Sequence, residues 1–323
     1  MNALNELLKR DRPEIVYHYT SFAGFKGIVE GKSIWATDIR FLNDVKEFNH
    51  GLDLAEKIVE DASDGVVRFL ATQMFKEIRQ SDIFVGRGLQ VCVSSFSKEA
   101  DLLSQWRGYC PDGRGVCIGF RPDFVSSYVG NGSYSVFAPC EYDEEKQKEI
   151  VSEATYDLIE MARDAVKMGF PAEESRDIAK LTNIDESDEP EEANRLRQEI
   201  TNRFSSKYKD VGPDLFRKLF LASALLKDKA FKEEVEWRLV LPALSNAKKF
   251  GPYEWQFRAS KSSLIPYIPV SIKTQKGNIE ITEVIVGPSP DKDLAMRSVE
   301  RFLEAEEIDG AVVRSSSIPY KNW

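Results

Sequence analysis

The sequence predicts an α+β fold built on a mixed, mainly antiparallel β-sheet. Strand patterns occur in two groups, one before residue 143 and one after residue 230. The polar segment between them has few strand signals and a helical character, so we interpret it as an insertion between two halves of one sheet. Strands and helices do not alternate regularly, which disfavours a parallel sheet of βαβ units. We therefore expect a single domain over residues 1–323, with a helical insertion at about residues 143–230.

The elements before the insertion follow from local patterns. IVYHYTS predicts a strand that ends in a polar turn, and Ser21 can cap a short amphipathic helix, FAGFKGIVEG, that Gly31 ends. SIWAT predicts a second strand, and the 3.6-residue periodicity of residues 53–80 predicts a helix that is broken near Gly65. LQVCVSSFS predicts a strong strand, KEADLLSQWRGY a short helix, and GVCIGF and SYSVFAPCEY two further strands.

Strands return after the insertion. VEWRLVLP, LIPYIPVS and IEITEVIVGP each have a strand pattern, and a helix is expected at about residues 291–306.

Composition excludes several classes of function. The 323 residues include only two histidines, so we do not expect a His-rich metal site, a zinc protease helix or a two-histidine phosphotransfer relay. The four cysteines form no CxxC pair, which favours reduced thiols and no metal site. No apolar stretch approaches the roughly 20 residues that span a bilayer, and the N-terminus lacks a signal-peptide core, so we expect a cytoplasmic protein without a membrane partner.

Charge and motif content narrow the choice further. The 44 basic and 53 acidic residues give a formal net charge of −9, which offers no broad basic surface for nucleic acid but leaves room for a local patch. The chain has no Walker A motif, GxGxxG, GxSxG, HExxH or EF-hand loop.

The first candidate constellation is the YHYT segment on the first predicted strand. Strand side chains alternate, so His18 and Thr20 share one face while Tyr17 and Tyr19 share the other. An imidazole beside a hydroxyl can hydrogen-bond the ribose hydroxyls and the amide of a ligand. The alternative is a half-buried histidine bonded to backbone.

The second constellation is the segment EEVEWRL. On a strand, Glu234, Glu236 and Arg238 share the face opposite to Trp237, which places a carboxylate and a guanidinium toward a cleft. The alternative is a surface ion-pair ladder, which contributes little to stability.

Two weaker signals lie elsewhere. Trp106 and Tyr109 are three residues apart and so share a helical face, where they form either core or a stacking wall for a flat heterocycle. Asn43 or Asp44 is a natural helix N-cap, and His50 is expected on a helix surface.

Six motifs occur in a fixed order: YHYTSFAGFKGIVEGKSIWAT, FLND, FSKEADLLSQWRGYCPDGRGVCIGF, FKEEVEWRLV, EVIVGP and SSSIPY. Together they resemble a bacterial family listed as a domain of unknown function, over essentially the whole chain except the insertion. That family looks like a divergent branch of the ADP-ribosyltransferase fold, and some members are linked to toxin–antitoxin and anti-phage systems. The opening motif is also similar to that of the DNA-targeting ADP-ribosyltransferase toxins: a histidine, one residue, a threonine, then a short helix that ends in glycine.

The resemblance implies an ADP-ribosyltransferase-like fold and NAD as co-substrate. The catalytic pattern of that fold is a first-strand histidine or arginine, a central aromatic or polar residue, and a late-strand glutamate. His18 matches the first position and Glu236 the last. Tyr109 is assigned to the middle, with Tyr19 or Tyr142 as alternatives.

Two departures from the family pattern bear on specificity. A clear STS triplet on a second strand is lacking, although the run Ser94-Ser95-Phe96-Ser97 is near that place. The Glu-x-Glu arrangement of arginine-modifying enzymes occurs only as Glu234-Val235-Glu236, from which we infer no arginine specificity.

The resemblance also assigns roles. Glu236 would stabilise the oxocarbenium-like centre that forms when the nicotinamide–ribose bond breaks, His18 would hold the adenosine-side ribose, and Tyr109 or Trp106 would stack on nicotinamide. Arg238, Arg107 or Arg40 would hold the pyrophosphate by bidentate contacts. The predicted cofactor-binding residues are His18, Tyr19, Thr20, Trp106, Arg107 and Arg238.

The expected acceptor is an exposed base in RNA or DNA, and an antitoxin protein is an expected partner. Candidate basic contacts are the KAFK and RLRQ segments, Lys248, Lys249 and the stretch from Arg258 to Lys261. A protein acceptor, an NAD glycohydrolase and a catalytically inactive binding module on the same fold are the alternatives.

Overall fold

The computed structural model describes residues 3–42, 45–61, 65–80, 89–110, 114–129, 135–167, 212–244, 254–260, 262–274, 277, 279–289 and 291–319. The described helices are α1 (Ala3–Leu8), α2 (Phe22–Gly31), α3 (Val45–Glu60), α4 (Gly65–Gln80), α5 (Leu103–Tyr109), α6 (Glu144–Lys167), α7 (Gly212–Leu225) and α8 (Lys292–Ala305). The described strands are β1 (Val16–Thr20), β2 (Ser33–Asp38), β3 (Leu89–Ser97), β4 (Val116–Phe120), β5 (Val136–Pro139), β6 (Glu236–Leu244), β7 (Gln256–Ala259), β8 (Leu264–Ser271), β9 (Ile281–Val286) and β10 (Val312–Ser315).

The ten strands form one sheet around β3. Its main path runs β10-β9-β4-β1-β3-β2-β8-β7, while β6 pairs with β3 and β5 pairs with β6. The pair β9/β10 is parallel and the other strand pairs are antiparallel. The predicted α+β class with a mixed, mainly antiparallel sheet is therefore confirmed.

The sheet divides at one edge of β3. β6 pairs with β3 along its whole length, so β1 and β2 share the other edge. β1 joins that edge through Tyr17 opposite Ser97, and β2 joins it through Thr37 opposite Val93 and Asp38 opposite Cys92. Among the described strand pairs, residues 94–96 of β3 have no partner strand at this edge. We call this gap, where the β1 branch and the β2 branch part, the fork.

Two apolar cores cover the two faces of the sheet. On one side, which we call the α2 face, Phe25 of α2 and Leu303 of α8 pack with Phe96 and Trp237 of the central strands. On the other side, which we call the bundle face, helices α1, α3, α4, α6 and α7 pack against residues such as Val93. The central strand β3 therefore contributes alternate residues to the two cores, as its period of two dictates.

Several local predictions are confirmed. The Ser21 hydroxyl caps α2 by accepting a hydrogen bond from the Gly24 amide at 3.1 Å. The predicted long helix is broken between α3 and α4, with Gly65 as the first residue of the second helix. α2 ends at Gly31, as predicted, and the next residue, Lys32, takes the left-handed C-cap conformation with φ of 47°.

The described parts of the predicted insertion, α6 and α7, are helical. They pack in the same apolar core as α3 and α4, which are helices that precede the insertion. Residues 168–211, which include the RLRQ segment, lie outside the described residues. The structure also contains two strands that the sequence reading did not identify, β7 and β10. Within the described part of the chain, no helix is long and apolar enough to cross a membrane.

Candidate functional site

Glu236 lies at the start of β6 in a buried ion pair with two cations. The Lys227 ammonium is 2.6 Å from Glu236 Oε2. Arg238 Nε donates to Glu236 Oε1 at 2.8 Å, and its Nη2 donates to Oε2 at 3.2 Å. Lys227, Glu236 and Arg238 are each at most 4% exposed. The carboxylate is thus enclosed, neither at an open cleft nor in a surface ladder.

Glu234 completes a neutral set of two cations and two anions, which we call the ion cluster: Lys227, Glu234, Glu236 and Arg238. The Lys227 ammonium is 3.0 Å from Glu234 Oε2. Between the two glutamates, Val235 has φ of 44°, a left-handed conformation that is strained for a β-branched residue. This local strain accompanies an arrangement in which both carboxylates contact one ammonium.

The ion cluster is tied to neighbouring elements. Arg238 Nη1 donates to the Ala224 carbonyl near the end of α7 at 2.8 Å. The Glu236 amide donates to the Tyr142 hydroxyl at 2.9 Å, and Lys227 lies over the Phe231 ring at 5.2 Å. These contacts join β6 to the segment before α6, to the end of α7 and to the segment that follows α7.

The charge state of Glu236 follows from these contacts. Burial alone would raise its pKa, but the charges and hydrogen bonds of Arg238 and Lys227 outweigh burial and lower the pKa to about 2. Glu236 is therefore ionised at neutral pH.

His18 lies at the fork, on β1. Its Nδ1 is 3.0 Å from the Ser95 carbonyl oxygen, and its ring packs 5.9 Å from the Phe96 ring. Burial lowers the pKa of His18 more than the bond to Ser95 raises it, so the ring is neutral at pH 7. A carbonyl can only accept, which places the proton on Nδ1 and leaves Nε2 as a hydrogen-bond acceptor.

The structure does not bring His18 and Glu236 together on one face. Tyr17 is opposite Ser97, and Ser97 is opposite Glu236, so these three side chains point to the bundle face. His18 is adjacent to Tyr17 in sequence and points to the α2 face, as its contact with Phe96 also shows. The predicted alternation along YHYT is confirmed.

Tyr19 and Trp106 belong to a small core beneath α5. Their rings pack edge to face at 5.0 Å, and both are buried. Trp106 Nε1 donates to Asp101 Oδ1 at 2.9 Å, while the Leu102 amide donates to the Tyr19 hydroxyl at 2.9 Å. These contacts account for both aromatic residues as packing and leave neither ring face open to a ligand.

The other predicted site residues have differing exposure. Tyr109 is 43% exposed and Arg107 is exposed, so Trp106 and Tyr109 do not form a shared wall. Arg40 donates from Nε to Asp38 Oδ1 at 3.0 Å, and Arg238 is used inside the ion cluster.

Thr20 is half-buried at the end of β1, and its hydroxyl is so close to Gly24 that a Cβ on Gly24 would lie 2.0 Å from it. His50 is exposed, as predicted, and Asn43 and Asp44 lie outside the described residues. The KAFK segment is an exposed 3-10 turn, whereas Lys248, Lys249 and Lys261 lie outside the described residues.

Sequence reasoning missed two residues of the site. Lys227 carries no motif, and only the tertiary contact with Glu234 and Glu236 shows its role. Trp35 lies on β2 at the fork, where its carbonyl accepts a hydrogen bond from Ser94 Oγ at 3.1 Å. Its position between two buried apolar residues in SIWAT was a usable signal, because alternation places it on the opposite face from them.

A protein family model matches part of the chain. A family model described as a protein of unknown function (DUF2971) matches residues 105–239, the stretch from α5 into β6 that contains Tyr109 and Glu236. The match supports the predicted likeness to a family of unknown function and carries no statement of activity. No curated protein and no solved structure matches the chain.

Proposed function

We propose that the chain binds NAD at the fork and transfers its ADP-ribose group to an acceptor. The observation that carries this proposal is the neutral imidazole of His18, fixed at the fork with Nε2 as an acceptor. Ribose hydroxyls are hydrogen-bond donors, so an oriented acceptor at a gap in the sheet suits one of them. Thr20 lies on the same face and adds a hydroxyl at the N-terminal end of α2.

The other predicted cofactor-binding residues are of two kinds, exposed residues and buried ones. Arg107 and Tyr109 are exposed on α5, and the proposal assigns them contacts with pyrophosphate and nicotinamide respectively. Trp106, Tyr19 and Arg238 are engaged in internal contacts, and the proposal gives them a structural role.

Transfer requires a group that stabilises positive charge on the ribose. When the glycosidic bond breaks, its electron pair leaves with nicotinamide and the ribose carbon becomes oxocarbenium-like before the acceptor forms the new bond. Glu236 is ionised and lies one strand from the fork. His18 and Glu236 lie on opposite faces of the sheet, so a ligand at the fork has to reach both, and Glu236 can act on the ribose only when Lys227 and Arg238 release a carboxylate oxygen.

The pairing of Glu236 favours a second candidate, an NAD-binding module without transferase activity. Both oxygens of Glu236 contact buried cations, which neutralise the charge that catalysis would use. The two candidates share NAD binding and differ in whether nicotinamide is released.

The proposed acceptor is a base in RNA or DNA, with a protein as the alternative. A toxin or anti-phage role, an antitoxin partner and a cytoplasmic location stay predictions that rest on the family resemblance.

The proposal is tested with NAD labelled in its adenylate part, by measuring thermal stabilisation, nicotinamide release and label on RNA, DNA or protein. Transfer predicts all three, and replacing His18 with alanine or Glu236 with glutamine should lower the rate about 100- to 1000-fold. His50→Ala is the matched control, because His50 is the only other histidine and is exposed. Binding without nicotinamide release supports the module, free ADP-ribose without labelled macromolecule indicates a glycohydrolase, and no NAD-dependent stabilisation refutes both candidates.

A further inference from the structure

Trp35 is an exposed aromatic residue beside the fork. Although it lies within a β-strand, its side chain is 43% exposed. Thr37 is opposite Val93, so Thr37 and Trp35 both point to the bundle face, the same face as Glu236. Core packing does not explain an exposed tryptophan at this position.

Two residues of the β7–β8 hairpin contact Trp35, and one of them, Tyr267, is buried, with 7% of its surface exposed. The Tyr267 ring lies 4.6 Å from the Trp35 ring, and the Arg258 guanidinium lies 5.4 Å from it. Tyr267 is held in place by its hydroxyl, which donates to Gln256 Oε1 at 2.8 Å. We call Trp35, Tyr267 and Arg258 the aromatic platform.

Arg258 adds a cation whose hydrogen-bonding capacity is incompletely used. Its Nε is buried and has no hydrogen-bond partner among the described residues. A buried donor without a partner is costly, so Arg258 gains a hydrogen bond when its side chain turns toward an anionic ligand oxygen. The platform therefore offers what a nucleotide needs: an aromatic face for the base and a guanidinium for the phosphate.

We propose that the aromatic platform binds a base and adjoining phosphate of single-stranded nucleic acid, which would be the acceptor strand. That the bound strand is the acceptor rests on the proposed function, whereas the binding of a strand does not. The position of the platform favours an acceptor over the cofactor, because it lies on the Glu236 face and on the β2 branch, whereas His18 lies on the α2 face and on the β1 branch. A strand laid across β2 would approach the fork from the side opposite to His18.

Fluorescence anisotropy with a labelled 12-nucleotide oligouridylate or oligothymidylate, in the absence of NAD, tests this site. Loss of base stacking should weaken binding of the Trp35→Ala variant about 10-fold or more, while Trp35→Phe should stay within about 3-fold of wild type. Arg258→Gln should lower the slope of log K against log salt by about 0.7, the value for one phosphate contact on a single strand.

Phe257→Ala is the matched control. Phe257 is 62% exposed and adjacent to Arg258, but points to the opposite face of β7, so its loss should leave binding within about 2-fold of wild type. Circular dichroism checks each fold, and Trp35→Phe and Arg258→Gln keep the test decisive if Trp35→Ala does not fold.

Several outcomes would overturn the proposal. These are no oligonucleotide binding by the wild type, equal binding by the wild type and Trp35→Ala, or an equal loss in Phe257→Ala. Loss of NAD-dependent stabilisation in Trp35→Ala with unchanged oligonucleotide binding would make the platform a cofactor subsite instead. Because the titration contains no NAD, a failure of the proposed transferase activity leaves its result readable.

Discussion

Replacing Glu236 with glutamine should destabilise the folded protein by about 3 kcal/mol at pH 7. The ordinary glutamate pKa of 4.5 falls to about 2 at Glu236, and each pH unit of that difference corresponds to about 1.36 kcal/mol. Removing one partner of a buried ion pair typically costs about 3–5 kcal/mol, because the remaining charges stay buried and unbalanced. Glutamine keeps the size of the side chain, so the change isolates the charge.

Urea unfolding followed by far-ultraviolet circular dichroism measures this cost. Glu30→Gln is the matched control, since Glu30 pairs with Lys26 on the exposed surface of α2 and should contribute less than about 1 kcal/mol. The double variant Lys227→Met with Glu236→Gln should lose less than the sum of the two single losses, because it removes one charge of each sign. A Glu236→Gln variant within about 0.5 kcal/mol of wild type would refute the inferred burial of the ion cluster.

The same reasoning fixes the pH dependence. The folded pKa of Glu236 is depressed, so its contribution is fully present above the unfolded value of 4.5 and is lost as pH falls toward about 2. The difference in unfolding free energy between wild type and Glu236→Gln should therefore shrink across this interval. A constant difference would assign the effect of the substitution to packing instead of charge.

Three further predictions follow from other parts of the fold. Burial lowers the pKa of His18 below 6.5, so its stabilising neutral form is present above pH 6.5 and lost as pH falls through the folded value; a ring-proton NMR titration midpoint at or above 6.5 would contradict this. Gly51→Ala places a Cβ 2.7 Å from the Ser223 backbone and should cost about 1–3 kcal/mol in thermal unfolding, whereas Gly27→Ala meets no atom within 4 Å and should stabilise α2 by up to about 1 kcal/mol. All four cysteines are buried, so a thiol reagent should label none in the native protein and all four after denaturation; rapid native labelling would show that this burial is wrong.

The sequence predicts strand and helix positions correctly where burial gives the apolar residues a clear periodicity. LQVCVSSFS alternates between two apolar cores, and the structure gives β3 over Leu89–Ser97. α2 ends at Gly31 as predicted, but the sequence did not indicate that Lys32, and not a glycine, takes the left-handed conformation after the helix. β7 was missed because its four residues are largely exposed and so carry little hydrophobic alternation.

The partners of the candidate site depend on contacts between distant segments. Alternation correctly placed Glu236 and Arg238 on one face, but whether that face is open or closed depends on Lys227 and the end of α7. The separation of His18 from Glu236 likewise depends on the register of three strands, which neither segment encodes alone. Local sequence thus supplied the residue types, and pairing between strands supplied their directions.

The side chains of His18 and Glu236 point to opposite faces of the sheet, but both residues lie near the fork. Beside it, the β1 branch presents the Nε2 acceptor of His18 toward the α2 face, while the β2 branch presents Trp35 toward the bundle face. Glu236 lies on that second face, where Lys227 and Arg238 together balance its charge, so a ligand would have to displace both cations to free the carboxylate. Under the proposed function the cofactor and the acceptor approach from opposite sides of one sheet, and binding of the acceptor is the proposed event that displaces these cations. Nicotinamide release should then be faster with the oligonucleotide present than with water as the only acceptor, and equal rates under both conditions would refute this coupling.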